Sequence, residues 1–307
     1  MNSQPNLSHM AVFAAVARHS SFQKAASDAG MSTSAVSHAI RGLEERLGVV
    51  LFHRTTRSVS LTEAGQRFLE RIQPALRDVS EAMEEMNHFR AAPAGTLRIN
   101  AARTAAYLLI APLMSRFLAA YPDINFEVAD DDGFVDVIAG GFDAGVRIHE
   151  GIPEDMVGVS LGGPQRMAIV ASPDYFAERD RPIHPNDLLQ HQCIRIRFPS
   201  GRTYRWEFEK DNEALDIEVN GRLTLGDTRL IAGAAIDGLG IACVFEDLVT
   251  EPLRDGKLVR VLEDWCAPFH GFMLYYPRQR RMTSALRAFI DLASHRSNWS
   301  STKSPNP

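Results

Sequence analysis

Cysteine is scarce in this sequence: Cys193, Cys243 and Cys266 are all there is, and no two of them form a CxxC pair. An odd, sparse set suits a reducing compartment, and a cytoplasmic protein is expected. Long apolar runs are missing too. Nothing approaches the roughly 18–20 residues a membrane-spanning helix needs, so no membrane partner is expected. The short apolar patch Met10–Ala17 has no basic residue before it, and Leu7, Met10, Phe13, Ala14 and Ala17 recur at helical spacing. That pattern reads as a packed helix and not as a secretory signal. Enzyme signatures are also lacking: there is no GxSxG elbow, no Walker loop and no HExxH pair. The GLG at 238–240 is too short for a dinucleotide fingerprint. His184, His191 and Cys193 lie close together but fit no zinc spacing. They read as one satisfied strand cysteine and two surface histidines. No catalytic residues, metal or cofactor are therefore expected.

A basic excess is the last absence. The net charge of −5 speaks, taken alone, against a nucleic-acid partner. Its distribution says otherwise. Residues 1–65 carry Arg18, Lys24, Arg41, Arg46, Arg54 and Arg57 against Asp28, Glu44, Glu45 and Glu63, a balance of +2 that leaves −7 for the remainder. A small basic module on an acidic body is the reading.

That module has a recognisable grammar. Ser21 can cap a helix whose apolar residues Phe22, Ala25, Ala26 and Ala29 keep helical spacing. Gly30 stands where such a helix ends, and Ser32 is the next N-cap. The second helix carries an inward stripe of Val36, Ile40, Leu43 and Leu47. Helix, glycine-containing turn, helix is the helix-turn-helix arrangement. Opposite the stripe lie Ser34, His38 and Arg41, with Ser37 beside them. Small hydroxyls let a helix approach a groove floor, and the longer donors reach base edges or phosphates. The N-terminal end favours a phosphate, whereas Glu44 and Glu45 repel one. The helix should enter the major groove N-terminal half first. Gln23, Lys24, Ser32 and Thr33 complete the DNA-facing set. By itself this helix is equally an amphipathic helix with a solvated polar face. FHRTTRSVSLTEAG (52–65) tips the balance. It reads as two short strands joined by a turn bearing Arg54, Thr55, Thr56 and Arg57, a basic wing for flanking backbone or minor groove. Thr62 caps the helix that follows.

From Leu61 to about Arg90 the apolar positions Leu69, Ile72, Leu76, Val79, Met83 and Met86 step by alternating threes and fours. Such a narrow seam suits pairing with a second copy, and a two-fold dimer suits two DNA half-sites. Pro74 should kink this helix. Packing against the protein's own body is the competing reading. AAPAG (91–95) is the hinge.

These residues resemble the winged helix-turn-helix of LysR-type transcriptional regulators: SFQKAA, SAVSHAIRGLEERLG, LFHRTTR and LTEAG stand in register over about 60 residues. FDAGVRI, CIRIRFPSG, GLGIACV and SALRAFIDLA extend the resemblance to about residue 293. Beyond residue 95 the strands TLRINAA, INFEVAD and DAGVRI alternate with helices expected at 104–120 and 132–141. A second α/β cluster spans about 165–265. A strand GFMLYYP (271–277) and a helix Met282–Ser294 then return to the first lobe. The expected architecture is multidomain: a winged helix-turn-helix (1–65), a linker helix and hinge (66–94), and a two-lobed α/β effector domain (95–296). Lobe 1 covers about 95–164 and 267–296, lobe 2 about 165–266, and the tail 297–307 is expected to be disordered. The resemblance implies a periplasmic-binding-protein-like sensor with a ligand cleft between lobes. Ala102, Arg103 and Thr104, at a strand end and helix start, make an anion site where Arg103 could grip a small carboxylate. The competing reading pairs Arg103 with Asp130 or Asp131. By position in the family pattern, Arg147, Phe198, Ser200, Asp227, Thr228 and Phe245 join the cleft, although Phe198 and Phe245 could equally be core aromatics.

The expected function is a regulator that binds a two-fold promoter site in double-stranded DNA, senses a small-molecule effector and forms a homodimer or homotetramer. Two rival readings fit the sequence less well. A solute-binding protein would share the two-lobed body but has no use for residues 1–90. A redox sensor would need a reactive thiol, whereas Cys193 and Cys243 fall in apolar strand patterns where thiols are usually inert.

Overall fold

The computed structural model describes residues 7–54, 58–87, 92–133, 136–138, 140–148, 152–153, 155–279 and 282–300, without the side chains of 77, 80, 81, 83–87 and 295–300. The chain divides into two compact units, Met1–Ala91 and Ala92–Pro307.

In the first unit, α1 (Leu7–His19), α2 (Phe22–Asp28) and α3 (Thr33–Leu47) precede a hairpin of β1 (Phe52–Arg54) and β2 (Val59–Leu61), and α4 (Glu63–Asn87) closes the unit. The expected caps form. Ser21 accepts from the Lys24 amide at 3.3 Å, and Ser32 from the Ala35 amide at 3.2 Å. Gly30 turns left-handed at φ +62°, and the amides of Gly30 and Met31 bond back to the carbonyls of Ser27 and Ala26. This double closure satisfies orphan carbonyls of α2 and sets the sharp turn into α3. Phe13 lies at the centre of the core, 5.2 Å from the Phe52 ring and 5.3 Å from that of Phe68. Burying each such large side chain contributes on the order of 1.5–3 kcal/mol.

The junction of hairpin and α4 depends on LTEAG. Thr62 accepts from the Gly65 amide at 2.9 Å and donates to the Val50 carbonyl at 2.8 Å. A Cβ on Gly65 would sit 2.1 Å from the Leu51 carbonyl oxygen, so only glycine lets the helix start this close to the wing.

Two expectations for this unit need correction. Leu47 is 40% exposed and leaves the inward stripe. The predicted six-residue seam of α4 is not one free face: Ile72 is buried in the core of its own head, and Leu69 and Leu76 pack against that core. Val79 is 44% exposed. The side chains of Met83 and Met86 lie outside the described residues, as do Thr55, Thr56 and Arg57 of the wing tip. The helical assignment continues through Pro74.

The second unit holds two layered lobes. A five-stranded sheet runs in the order β4 (Ile124–Asp130), β3 (Gly95–Ala101), β5 (Ala144–Ile148), β14 (Phe272–Pro277), β6 (Met156–Ser160). β3 is parallel to β4 and β5, whereas β14 runs antiparallel to β5 and β6. Leu97, Ile99 and Ala101 alternate along β3 and are all buried, so one face of the strand forms the core of this lobe. One cover is a continuous helical run: α5 (Arg103–Ala105), a π turn (Ala106–Ile110) and α6 (Ala111–Ala120). Beside it in the same core packs α9 (Ser284–Ser300), whose Phe289 meets Phe117 of α6 edge-on at 5.3 Å.

The other lobe is built on β12 (Ala242–Phe245), β7 (Met167–Ala171) and β13 (Val259–Val261), all antiparallel. The parallel pair β8 (Ile194–Ile196) and β11 (Leu223–Leu225) attaches through the bridge Cys193–Ile241. Helices α7 (Thr228–Ile236) and α8 (Glu246–Arg254) pack on it. A hairpin of β9 (Trp206–Lys210) and β10 (Glu213–Ile217) turns at Asp211 and Asn212, both at positive φ, which short polar side chains tolerate best after glycine. The chain thus crosses to this lobe after β6 and returns at β14. Two further expectations fail: the described residues within 132–141 form turns and no helix, and the last helix runs on to Ser300, into the expected tail. Residues 301–307 of that tail lie outside the described residues.

Candidate nucleic-acid interface and effector cavity

The outer face of α3 presents Thr33, Ser34, His38 and Arg41 to solvent, with Ser37 half-buried, while Val36, Ala39, Ile40 and Leu43 are buried beneath. Gln23 and Lys24 are exposed on α2. Ser32 is largely spent on local structure: its oxygen caps Ala35 and lies 3.0 Å from the Ser34 hydroxyl.

The acidic end of α3 has a role that sequence reasoning missed. One Glu44 oxygen accepts from the amides of Leu51 (2.9 Å) and Phe52 (3.3 Å), and the other pairs with Arg54 at 2.6 Å. Glu44 is thus the post to which the first wing strand is tied. Arg54 in turn lies over the Phe22 ring at 4.9 Å. An expected phosphate contact is therefore also a clamp joining wing, α2 and α3. No local spacing signals a carboxylate that caps amides seven and eight residues ahead.

In the second unit the predicted residues separate. Thr104, in the first turn of α5, lies 2.9 Å, oxygen to oxygen, from Thr228 in the first turn of α7, so one hydroxyl pair links the two lobes. Phe245 is 8% exposed, belongs to the core of the first lobe although β12 lies in the second, and stacks 5.3 Å from Phe272. Thr228, Phe198 and Phe245 border a cavity of about 500 Å³. Ile148, Ile196 and Met167 extend its apolar wall, and Tyr204, Phe208, Trp265 and Phe269 add aromatic surface. Burial raises the Tyr204 phenol well above its ordinary range, so the ring presents a neutral hydroxyl.

The remaining predicted residues are engaged elsewhere. The Arg103 amide is capped by Asp132 at 2.9 Å, and the same carboxylate lies 3.9 Å from its guanidinium. A protein carboxylate already fills the expected anion position beside Ala102. It is Asp132, not Asp130 or Asp131, that pairs there. The Arg103 side chain borders a separate open groove of about 330 Å³ with Arg197, Phe198 and Thr224. Arg147 is a structural hub: its guanidinium donates to Asn100 Oδ1 (2.5 Å) and to the carbonyls of Val146, Asp131 and Gly133 (2.8–3.1 Å). Asp227 caps α7 by accepting from Arg229 and Leu230. Ser200 is exposed and borders neither the cavity nor the groove.

Missed by sequence reasoning were Tyr204, Trp265, Cys266, Phe269 and the acids Glu207, Glu209 and Asp216 along the same cavity. The alternation in WEFEK, with Trp206 and Phe208 inward and Glu207 and Glu209 outward, was the available signal. The cysteines are all free and buried. Burial pushes the Cys193 thiol up to about 12 and that of Cys266 up to about 11, and raises Cys243 as well. His191, expected at the surface, is buried 3.3 Å from the Tyr175 hydroxyl, and its pKa is lowered by desolvation. His184 caps Asn186 through its ring nitrogen. No helix among the described residues is long and apolar enough to cross a membrane.

Residues 7–66 match the family described as bacterial regulatory helix-turn-helix protein, lysR family, and residues 90–297 match the LysR substrate binding domain. The HTH-type transcriptional regulator YcaN of Escherichia coli, itself described as uncharacterized, is 46% identical over 93% of this chain and 94% of its own length. The regulator PgrR of the same organism is 38% identical over 93% of this chain and 96% of its own. Among solved structures, full-length AphB of Vibrio cholerae, described as a virulence activator, matches with a TM-score of 0.66 and 25% identity, covering 95% of this chain and 99% of that one. CrgA of Neisseria meningitidis matches with a TM-score of 0.59 and 28% identity over 95% and 99%.

Proposed function

The chain belongs to the LysR family of bacterial transcriptional regulators, and from that premise we propose which of its residues read DNA and where its effector sits. Ser34, His38 and Arg41, with Thr33 and Ser37, read base edges in the major groove. Gln23 and Lys24 hold flanking phosphates, as do Arg57 and, in part, Arg54. The observation that carries this reading is the division of α3 into a buried apolar face and an outer face of small hydroxyls, one histidine and one arginine. Such a face fits a groove floor, and its donors match those used for base and phosphate contacts. The 500 Å³ cavity bordered by Thr228, Phe198 and Phe245 holds a small-molecule effector. Because the Thr104–Thr228 pair links the lobes beside it, an effector that binds one lobe arrangement better shifts the balance between arrangements. The protein acts in the cytoplasm as a homodimer or homotetramer on a two-fold promoter site, without catalysis of its own. Val79 and the α4 positions beyond it supply the self-association face, since Leu69, Ile72 and Leu76 are committed to the head.

The test is selection of sheared genomic DNA by the purified full-length protein at near-physiological salt, followed by sequencing. Recovery of a few sites with a two-fold pattern is the expected result. Salt-sensitive capture with no preferred sequence would overturn the base-reading assignment.

A further inference from the structure

The sequence points towards a carboxylate effector because Arg103 stands at a strand end. The cavity points the other way. Asp132 meets the Arg103 amide, and the arginine side chain borders a different groove. Among the described residues that line the cavity, none is Arg, Lys or His, whereas Glu207, Glu209 and Asp216 are all carboxylates. Of the cations next to lining residues, Arg197 borders the separate groove, and several others are already employed. Lys210 is paired with Asp264, Arg205 with Glu218, and Arg260 with Glu246. Arg166 donates to the Cys266 and Glu263 carbonyls.

The placement of the acids has a cost. Glu207 and Asp216 stand directly opposite each other on the β9–β10 hairpin, a like-charge cross-strand pair, and Glu209 follows on the same face. Neither Glu209 nor Asp216 has an ion-pair partner among the described residues, and both are exposed at the cavity. Behind this acidic mouth the walls are apolar and rich in π faces, with Tyr204, Phe208, Phe245, Trp265 and Phe269. A low-charge aromatic interior with a negative entrance suits a ligand with an apolar body and a positive end. Its ammonium would gain from the carboxylates and from the negative ring faces, whereas an anion would meet repulsion and find no cation to accept it.

We propose that the effector of this protein is a hydrophobic amine, bound with its apolar body against the aromatic walls and its ammonium towards Glu209 and Asp216. This rests on the reading of the inter-lobe cavity as the effector site, and it replaces the carboxylate expectation with the opposite charge.

The test titrates the full-length protein, at neutral pH, with three probes of one shape: phenylbutylamine, the uncharged phenylbutanol and the anion phenylbutyrate. Calorimetry reads affinity and tryptophan emission reads location, because Trp265 forms part of the wall. The amine should bind about tenfold more tightly than the butyrate, the sum of modest exposed ion-pair and cation–π gains, with the alcohol between. The double variant Glu209→Gln, Asp216→Asn alters exposed hairpin positions, so the fold should tolerate it. It should erase the amine preference and leave the alcohol's affinity within about twofold, since the variants change charge and not shape. Butyrate binding equal to or tighter than amine binding, an amine preference that survives the double variant, or no binding of any probe would overturn the proposal. If instead binding leaves the emission of the wild type and of Trp265→Phe equally unchanged, the ligand sits elsewhere. The cavity reading itself then falls, and the amine proposal with it.

Discussion

At the scale of single residues, the most informative side chain is Glu44. It satisfies two backbone amides at the root of the wing and neutralises Arg54 beside them. Glu44→Ala leaves those donors without their acceptor, so the head should lose about 1–3 kcal/mol, read as a lower thermal midpoint. Its neighbour Glu45 is exposed with no comparable tie among the described residues, and Glu45→Ala should stay within about 0.5 kcal/mol of wild type. Equal effects of the two would contradict the clamp. The thiols lead to a different expectation. Burial raises all three, so the fold holds the neutral form. Their contribution is therefore complete below the ordinary thiol value of 9.0 and is lost as pH climbs through about 11 for Cys266 and about 12 for Cys193. In mildly alkaline buffer the native protein should resist iodoacetamide and become labelled only on unfolding. Rapid stoichiometric labelling of folded protein would instead favour a reactive, redox-sensing cysteine.

At the scale of elements, the sequence was most readable where periodicity and capping agree. Helices α2 and α3, their Ser21 and Ser32 caps and the Gly30 turn follow from local chemistry, and so they fall where the pattern puts them. The seam of α4 misleads for a physical reason. A three-four apolar repeat records that one face is buried, and it is the same whether the partner is a second copy or the protein's own head. Here Ile72 goes to the head while Val79 does not. Ile72→Ala should accordingly cost the head roughly 2–4 kcal/mol. Val79→Asp should spare the head's unfolding midpoint and weaken self-association, as read by sedimentation. The reverse pattern would restore the uninterrupted seam. Gly65 offers a stricter test of the wing–helix junction. With Leu51's carbonyl 2.1 Å from where a Cβ would lie, Gly65→Ala must displace α4 or the wing, at a cost of about 1–3 kcal/mol or more.

At the scale of the whole molecule, chain order revealed two lobes with a return strand, but the lining of the cleft stayed hidden. Family position singled out Thr104, Thr228, Phe198 and Phe245; in the structure the last three border the cavity and Thr104 lies against Thr228. It gave no view of the partners that occupy Arg103, Arg147 and Asp227, since these are made across the fold or within caps. The alternation in WEFEK separates the acids of β9 from its aromatics, but which side of a hairpin faces a cavity depends on tertiary packing and not on the alternation itself. If the Thr104–Thr228 pair links the lobes as described, Thr104→Val should cost the effector domain about 1 kcal/mol and speed amide exchange in the first turn of α7. Unchanged exchange would remove that link from the account. The account as a whole rests on α3 reading sequence while its surroundings hold backbone. The most direct measurement is binding to a randomised operator library at two salt concentrations, comparing wild type, Arg41→Ala and Lys24→Ala. Arg41→Ala should change which bases are selected. Lys24→Ala should weaken all sequences alike and reduce the salt slope by about one. If both variants shift affinity equally and leave the selected sequence untouched, α3 is not the reading element.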